Sequence, residues 1–257
     1  MFNYRVSVRP PGSLGEDDVR ALWRLRRSML RLKPMVDPAR DYERFSSFVR
    51  RSHVGRVKDR CGRVVATMSN LRLDGRFEGQ AYRLSVFEYA FNEVHVRRHP
   101  AVVAMYILLF YGCRRWRPGV RNYLCFAGYP TTVLSYSKRL PELKLDGDRA
   151  LDPLERYLIG VYAEQVLGDR FDRERRVVWM PTIPPAPRPE WLARNREEPL
   201  LVQYLARSPR WREGESVIAL SRLDDGLRLV WEFGARLLQR GPSQAEPRQR
   251  QRIESQR

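Results

Sequence analysis

The chain has 257 residues, 43% of them hydrophobic and 11% aromatic, which is enough for a sizeable core and excludes wholesale disorder. Its 48 Lys and Arg against 30 Asp and Glu leave a net charge of +18, so its partners are expected to be anionic: nucleic acid, an anionic membrane or an acidic protein. Cys61, Cys113 and Cys125 are odd in number and lack CxxC spacing, which speaks against a disulfide framework or a zinc site and for a reducing compartment, read here as cytoplasmic.

Residues 4–8 alternate and predict a strand. Ser13 then caps a helix with Glu16, Asp17 and Asp18 in its first turn, where the dipole favours acids. Leu22, Leu25, Met29 and Leu32 form its core stripe. Arg20, Arg24, Arg27 and Arg31 form a basic stripe on the opposite side, and only four of the chain's cations (Lys33, Lys58, Lys138 and Lys144) are not arginine. Asp37-Pro38 is a cap followed by proline at the first helical position, opening a second helix that buries Tyr42, Phe45 and Val49. A hairpin follows over 56–59 and 64–73, with the next turn expected at Asp74-Gly75. Residues 82–96 predict a long strand with a bend or bulge.

Pro100 opens a helix over 101–112, apolar on nearly all sides. At 12 residues it falls short of the roughly 20 that a bilayer requires, so it reads as a buried helix and not as a transmembrane span. A short strand over 122–126, a turn at Gly128-Tyr129-Pro130, a short helix over 131–138 and a strand over 143–145 come next. Asp152 and Glu155 make a capping box for a helix towards Leu167. A strand over 176–180, a proline-rich connector, a helix over 191–207, a strand over 217–220 and an amphipathic helix over 227–239 complete the pattern. Residues 241–257 are polar and expected to be a disordered basic tail. The first ten residues lack the apolar stretch of a secretory signal. No GxGxxG, Walker, GxSxG or HExxH string occurs, which argues against a dinucleotide oxidoreductase, a P-loop NTPase, an α/β hydrolase and a zincin.

The order β-α-α-β-β-β-α-β-α-β over roughly 4–146 predicts an α/β (α+β) domain with a mostly antiparallel sheet and helices on both faces. Two segments, FNEVHVRRHPAVV (91–103) and LSYSKRLP (134–141), resemble parts of the GNAT acyltransferase superfamily. The first is similar to the junction of the family's fourth strand and third helix. The motif there, R/Q-x-x-G-x-G/A, holds the coenzyme A pyrophosphate on backbone amides; free N–H groups at a helix start favour an anion. Arg98 stands at the motif's first position, with Ala101 and Val103 at the glycines. The second segment resembles the family's Y-x-K-x-G-F, with Tyr136 and Lys138 matching.

The resemblance implies a GNAT-like core over 1–150 with an α/β extension over 151–240. It implies an acyl group moved from acyl-CoA or an acyl-phosphopantetheine to a small-molecule amine acceptor. Val96, Arg97, Arg98, His99, Ala101 and Val102 would hold the donor. Glu93 or His95 would serve as base, with Glu88 also on that strand, and Tyr136 as acid. The autoinducer synthase and N-acyl amino acid synthase branch takes its acyl chain from acyl carrier protein, and the Arg20, Arg24, Arg27 and Arg31 stripe would then steer that acidic partner. Trp191, Trp211 and Trp231 would line an apolar tunnel. A second reading keeps the scaffold without the chemistry, as a binding module for an acidic protein or nucleic acid.

Overall fold

The structure, a computed structural model, describes residues 4–96, 99–112, 119–138, 140, 142–183 and 189–223. The expected 227–239 helix, the 241–257 tail, Cys113, Arg97, Arg98 and Trp231 lie outside these described residues. In chain order come β1 (Arg5–Arg9), α1 (Glu16–Met29), a two-residue β2 (Arg31–Leu32), α2 (Pro38–Arg51), β3 (His53–Lys58), β4 (Val64–Phe77) and β5 (Gln80–Asn92). Then follow α3 (Pro100–Gly112), β6 (Val120–Gly128), α4 (Pro130–Ser137) and β7 (Lys144–Leu145). This is the expected order with β2 added. Beyond it lie α5 (Pro153–Tyr162), β8 (Phe171–Asp172), β9 (Val177–Trp179), β10 (Thr182–Ile183), α6 (Pro189–Asn195), α7 (Pro199–Arg207) and β11 (Glu215–Arg222).

Local chemistry explains most boundaries. The Asp37 carboxylate accepts the Ala39 amide at 2.9 Å and starts α2. Asp152 and Glu155 exchange both bonds of a capping box at the start of α5, at 2.8 and 2.9 Å. α1 begins later than expected, with Gly15 as N-cap, because the Ser13 hydroxyl turns back to the Pro10 carbonyl. The helix expected over 191–207 is two helices, since Pro199 opens the second.

The turn expected at Asp74-Gly75 lies instead at Glu78-Gly79. Both residues have positive φ, 47° and 80°, the pattern whose twist suits a two-residue hairpin. Asp74 stays in β4, where Arg72 and Arg83 hold its carboxylate, and the Tyr82 ring fills the space over Gly75.

The main sheet has nine strands in the order β1-β3-β4-β5-β6-β11-β9-β8, with β7 alongside β11. The pair β5–β6 is parallel, and the other pairings among the described residues are antiparallel. Because β11 pairs with β6, the segment after residue 150 adds strands to the same sheet. Helices α1, α2 and α5 cover one face around Leu22, Phe45 and Leu158. Helices α3, α4 and α7 cover the other around Met105, Val133 and Tyr204.

β3 runs close under α3: a Cβ on Gly55 would stand 2.6 Å from Met105 Cγ. Gly55→Ala is therefore expected to destabilise the fold by about 1–3 kcal/mol through overpacking, read from the denaturant midpoint.

Candidate functional site

The site grows out of one irregularity in β5. Thr67 faces Phe91 but Ser69 faces Glu88, so β5 carries one more residue than β4 between those pairs. Tyr89 sits there with φ 55°, a bulge conformation uncommon outside glycine. Tyr82, Leu84 and Val86 point into the α1/α2/α5 core, and after the bulge Tyr89 and Phe91 rejoin it. Simple alternation would have sent them to the other face.

The bulge also parts two strands. β5 and β6 pair from Ala81↔Val120 to Val86↔Cys125 and no further, while β6 continues along β11 as far as Gly128. A cavity of about 380 Å³ occupies the parting. One wall is β5 from Phe87 to Phe91; the other is the end of β6 with Thr131, Thr132 and Tyr136 of α4. Met29 at the end of α1, Leu30 just after it and the segment from Met180 to Thr182 also line it. That segment is tied down by Tyr129, whose hydroxyl donates to the Thr182 carbonyl at 2.6 Å. Burial pushes the Tyr129 phenol up to about 12.

Three charged groups line the cavity: Glu88, Arg26 and Arg170. Glu88 is 7% exposed, and its Oε1 accepts from the Tyr162 hydroxyl of α5. Arg170 acts on Glu88 through its charge. Arg26 is held by Asp41 through both oxygens, at 2.5 and 3.2 Å, with the rings of Trp23, Tyr89 and Phe45 around its guanidinium. On the opposite wall the Tyr136 ring packs on Phe126 with centroids 4.7 Å apart. Glu88 from β5 and Tyr136 from α4 thus both line the cavity.

The residues expected around 93–102 fall outside this slot. β5 ends at Asn92, and residues Val94–Val96 form a 3₁₀ turn in place of the expected strand, because the Glu93 amide bonds to the Val65 carbonyl and the Val96 amide folds back to Glu93. Arg63 grips both Glu93 oxygens at 2.7 and 3.3 Å. His95 Nδ1 lies 3.5 Å from the same carboxylate, and the ring is more than half exposed. Neither lines the cavity.

The helix junction is closed from within. The Ala101 amide donates to His99 Nδ1 at 3.1 Å, the Val102 amide goes to the His99 carbonyl at 2.9 Å, and Pro100 has no N–H to offer. The His99 ring stacks edge-on against Tyr4, and burial lowers its pKa, favouring the neutral ring that accepts this bond. Val96, Ala101 and Val102 are buried.

Of the basic stripe, Arg20 pairs with Glu16 at 3.0 Å, while Arg24, Arg27 and Arg31 are exposed. Trp211 is buried, and neither it nor Trp191 lines the cavity. Burial pushes the Cys125 thiol well up, so it is a packing group. Among the described residues no cluster of three metal-ligating side chains occurs, and no helix is long and apolar enough to cross a membrane.

The buried Arg26–Asp41 pair did leave a trace in the sequence: Arg26 falls at helical spacing within Leu22, Leu25 and Met29, and Asp41 lies four before Phe45. Nothing local marks Tyr162 or Arg170.

No family model and no curated protein sequence matches the chain. Among solved structures it is similar to a predicted acetyltransferase of Clostridium acetobutylicum, solved with acetyl-CoA, at 15% identity over 60% of this chain and 98% of that one, with a TM-score of 0.42. An N-acyl amino acid synthase from uncultured soil microbes is 15% identical over 56% of this chain and 82% of that one, TM-score 0.36. A probable N-acyltransferase of Enterococcus faecalis V583 is 13% identical over 56% of this chain, TM-score 0.41, and the match spans 33% of that longer protein. These likenesses concern the path of the backbone over little more than half of the chain.

Proposed function

We propose that the chain is an N-acyltransferase that works in the parted strands β5 and β6. One observation carries the reading: the cavity opens where the ladder stops at Val86↔Cys125 and brings Glu88 and Tyr136 to one slot. Beyond that point β5 has no strand partner on its β6 side, so an extended phosphopantetheine arm fits there as an added strand, bonded to main chain. The acceptor amine nitrogen attacks the thioester carbonyl. Glu88 takes the amine proton as the C–N bond forms. The C–S bond breaks, and Tyr136 gives its proton to the leaving thiolate. A phenol suits this because it is protonated near neutral pH. Tyr136→Phe is expected to slow thiol release by about 10²-fold or more, measured as free thiol appearing with donor and acceptor both present.

The donor is proposed to be carrier-borne. Among the described residues expected to cradle a pyrophosphate, the amides of Val96, His99, Ala101 and Val102 are already bonded, and an arm on a carrier protein brings one phosphodiester and no nucleotide. Carrier proteins are acidic, and Arg24, Arg27 and Arg31 offer them an exposed basic face. The charge reversal Arg24→Glu/Arg27→Glu is expected to raise KM for an acyl carrier donor far more than for carrier-free acyl-pantetheine, with the difference shrinking as salt is added.

The sealed α3 junction also favours a second reading, a scaffold that binds nucleic acid or an acidic protein without chemistry. The deciding experiment is a thermal-shift screen of acyl-CoA, acyl carrier protein and RNA, with mass spectrometry of small molecules retained on the purified protein. Stabilisation by a thioester donor supports acyl transfer. Stabilisation by RNA alone, steeply lost with salt, supports the second reading.

A further inference from the structure

We propose that Tyr162 is a positioning residue for the cleft carboxylate, its hydroxyl pinning Glu88 on β5 to the parted strand β6. The inference rests on the reading of Glu88 as the base. Tyr162 is fully buried, and its hydroxyl uses both of its bonding capacities across the parting. It donates to Glu88 Oε1 and accepts the amide of Ala127 at 3.0 Å. Ala127 lies on β6 just past the last parallel pair with β5, so the bridge stands at the floor of the slot, where the sheet hydrogen bonds have ended. One donor on Oε1 fixes the plane of the carboxylate and leaves Oε2 for the substrate.

The helix is shaped for this reach. α5 is regular to Tyr162 and then widens into a π-helix over Ala163–Leu167, an irregularity that often accompanies functional side chains. The turn after it supplies Arg170, so one segment brings both a hydrogen-bond donor and a positive charge to Glu88. Burial and the neighbouring Glu88 charge push the Tyr162 phenol well above its ordinary range, so its hydroxyl keeps its proton and remains a donor.

The test is the titration of Glu88 by carbon NMR on the intact protein, with its carboxyl resonance assigned by Glu88→Gln. Tyr162→Phe removes the donor and keeps the ring. The Glu88 midpoint is expected to differ between wild type and variant, because a hydrogen bond made to the carboxylate is lost. An equal midpoint in wild type and variant overturns the proposal. Should Tyr162→Phe fold poorly, the wild-type protein decides: the Tyr162 ring carbons must shift with the Glu88 midpoint, and rings indifferent to it overturn the proposal too. Binding of octanoyl-pantetheine, followed by calorimetry on wild type, tests acyl transfer separately. Absent binding with a Tyr162-dependent Glu88 midpoint keeps the pin and removes the transferase.

Discussion

Glu88→Gln is expected to lower acyl transfer by about 10²- to 10⁴-fold, the usual contribution of a positioned proton-transfer group. Glutamine keeps the length of the side chain and an oxygen that can accept from Tyr162, so the contact that holds residue 88 in the floor of the cavity survives. What is lost is the capacity to take a proton from the attacking amine. The loss should therefore fall on kcat, with the affinity for the thioester donor retained. The measurement is thiol release from an octanoyl thioester with a panel of primary amines, beside donor binding by calorimetry. Wild-type turnover in Glu88→Gln would take Glu88 out of the mechanism. Glu93→Gln is the informative comparison. That carboxylate lies outside the cavity lining and is gripped by Arg63, so its replacement is expected to leave turnover within a few-fold of wild type.

The largest loss of stability is expected from Asp41→Ala, at about 3–5 kcal/mol, the cost of leaving a buried charge without its partner. Arg26 is 1% exposed and Asp41 4%. The guanidinium lies 4.7 Å from the Trp23 ring, 5.5 Å from Tyr89 and 5.8 Å from Phe45, and its Nε already lacks a partner. Once the carboxylate is gone, the guanidinium stays buried without its counter-charge. The denaturant midpoint should fall with an unchanged slope. Replacing both partners by apolar residues, Arg26→Met with Asp41→Leu, should restore much of the loss, because the desolvation cost of two ions disappears with them. Since Arg26 and Tyr89 both line the cavity, the single variant should also weaken donor binding, whereas a pair acting only as a structural strut would leave it intact.

Helix starts, core stripes and strand order were readable in the residues because they depend on neighbours a few positions apart. Asp37 and the Asp152–Glu155 box mark helix starts by bonding to amides within three residues. Arg20, Arg24 and Arg27 follow from helical periodicity along α1, whereas Arg31 and Leu32, expected on the same helix, lie on β2 and pair with β10; the β-α-α-β-β-β-α-β-α-β order follows from successive changes of period. The polar groups of the slot between the parted strands were not readable in that way. A single inserted residue at Tyr89–Ala90 changes which side chains of β5 face which core, and alternation counted along the sequence cannot register it.

What the sequence by itself determined is the order of the main elements up to residue 146, the opposed faces of α1 and a strongly basic composition, while β2, β8, β10 and the break between α6 and α7 went unmarked. Tertiary structure alone decided which acid enters the cleft. Arg63 claims Glu93 from a distance of 30 residues, and Tyr162 reaches Glu88 from 74 residues away. The same folding brings Tyr4 against His99, whose ring takes the amide at the start of α3. The physical reason is that a carboxylate's role follows from its burial and from whatever donor and charge arrive beside it, and those come from distant segments.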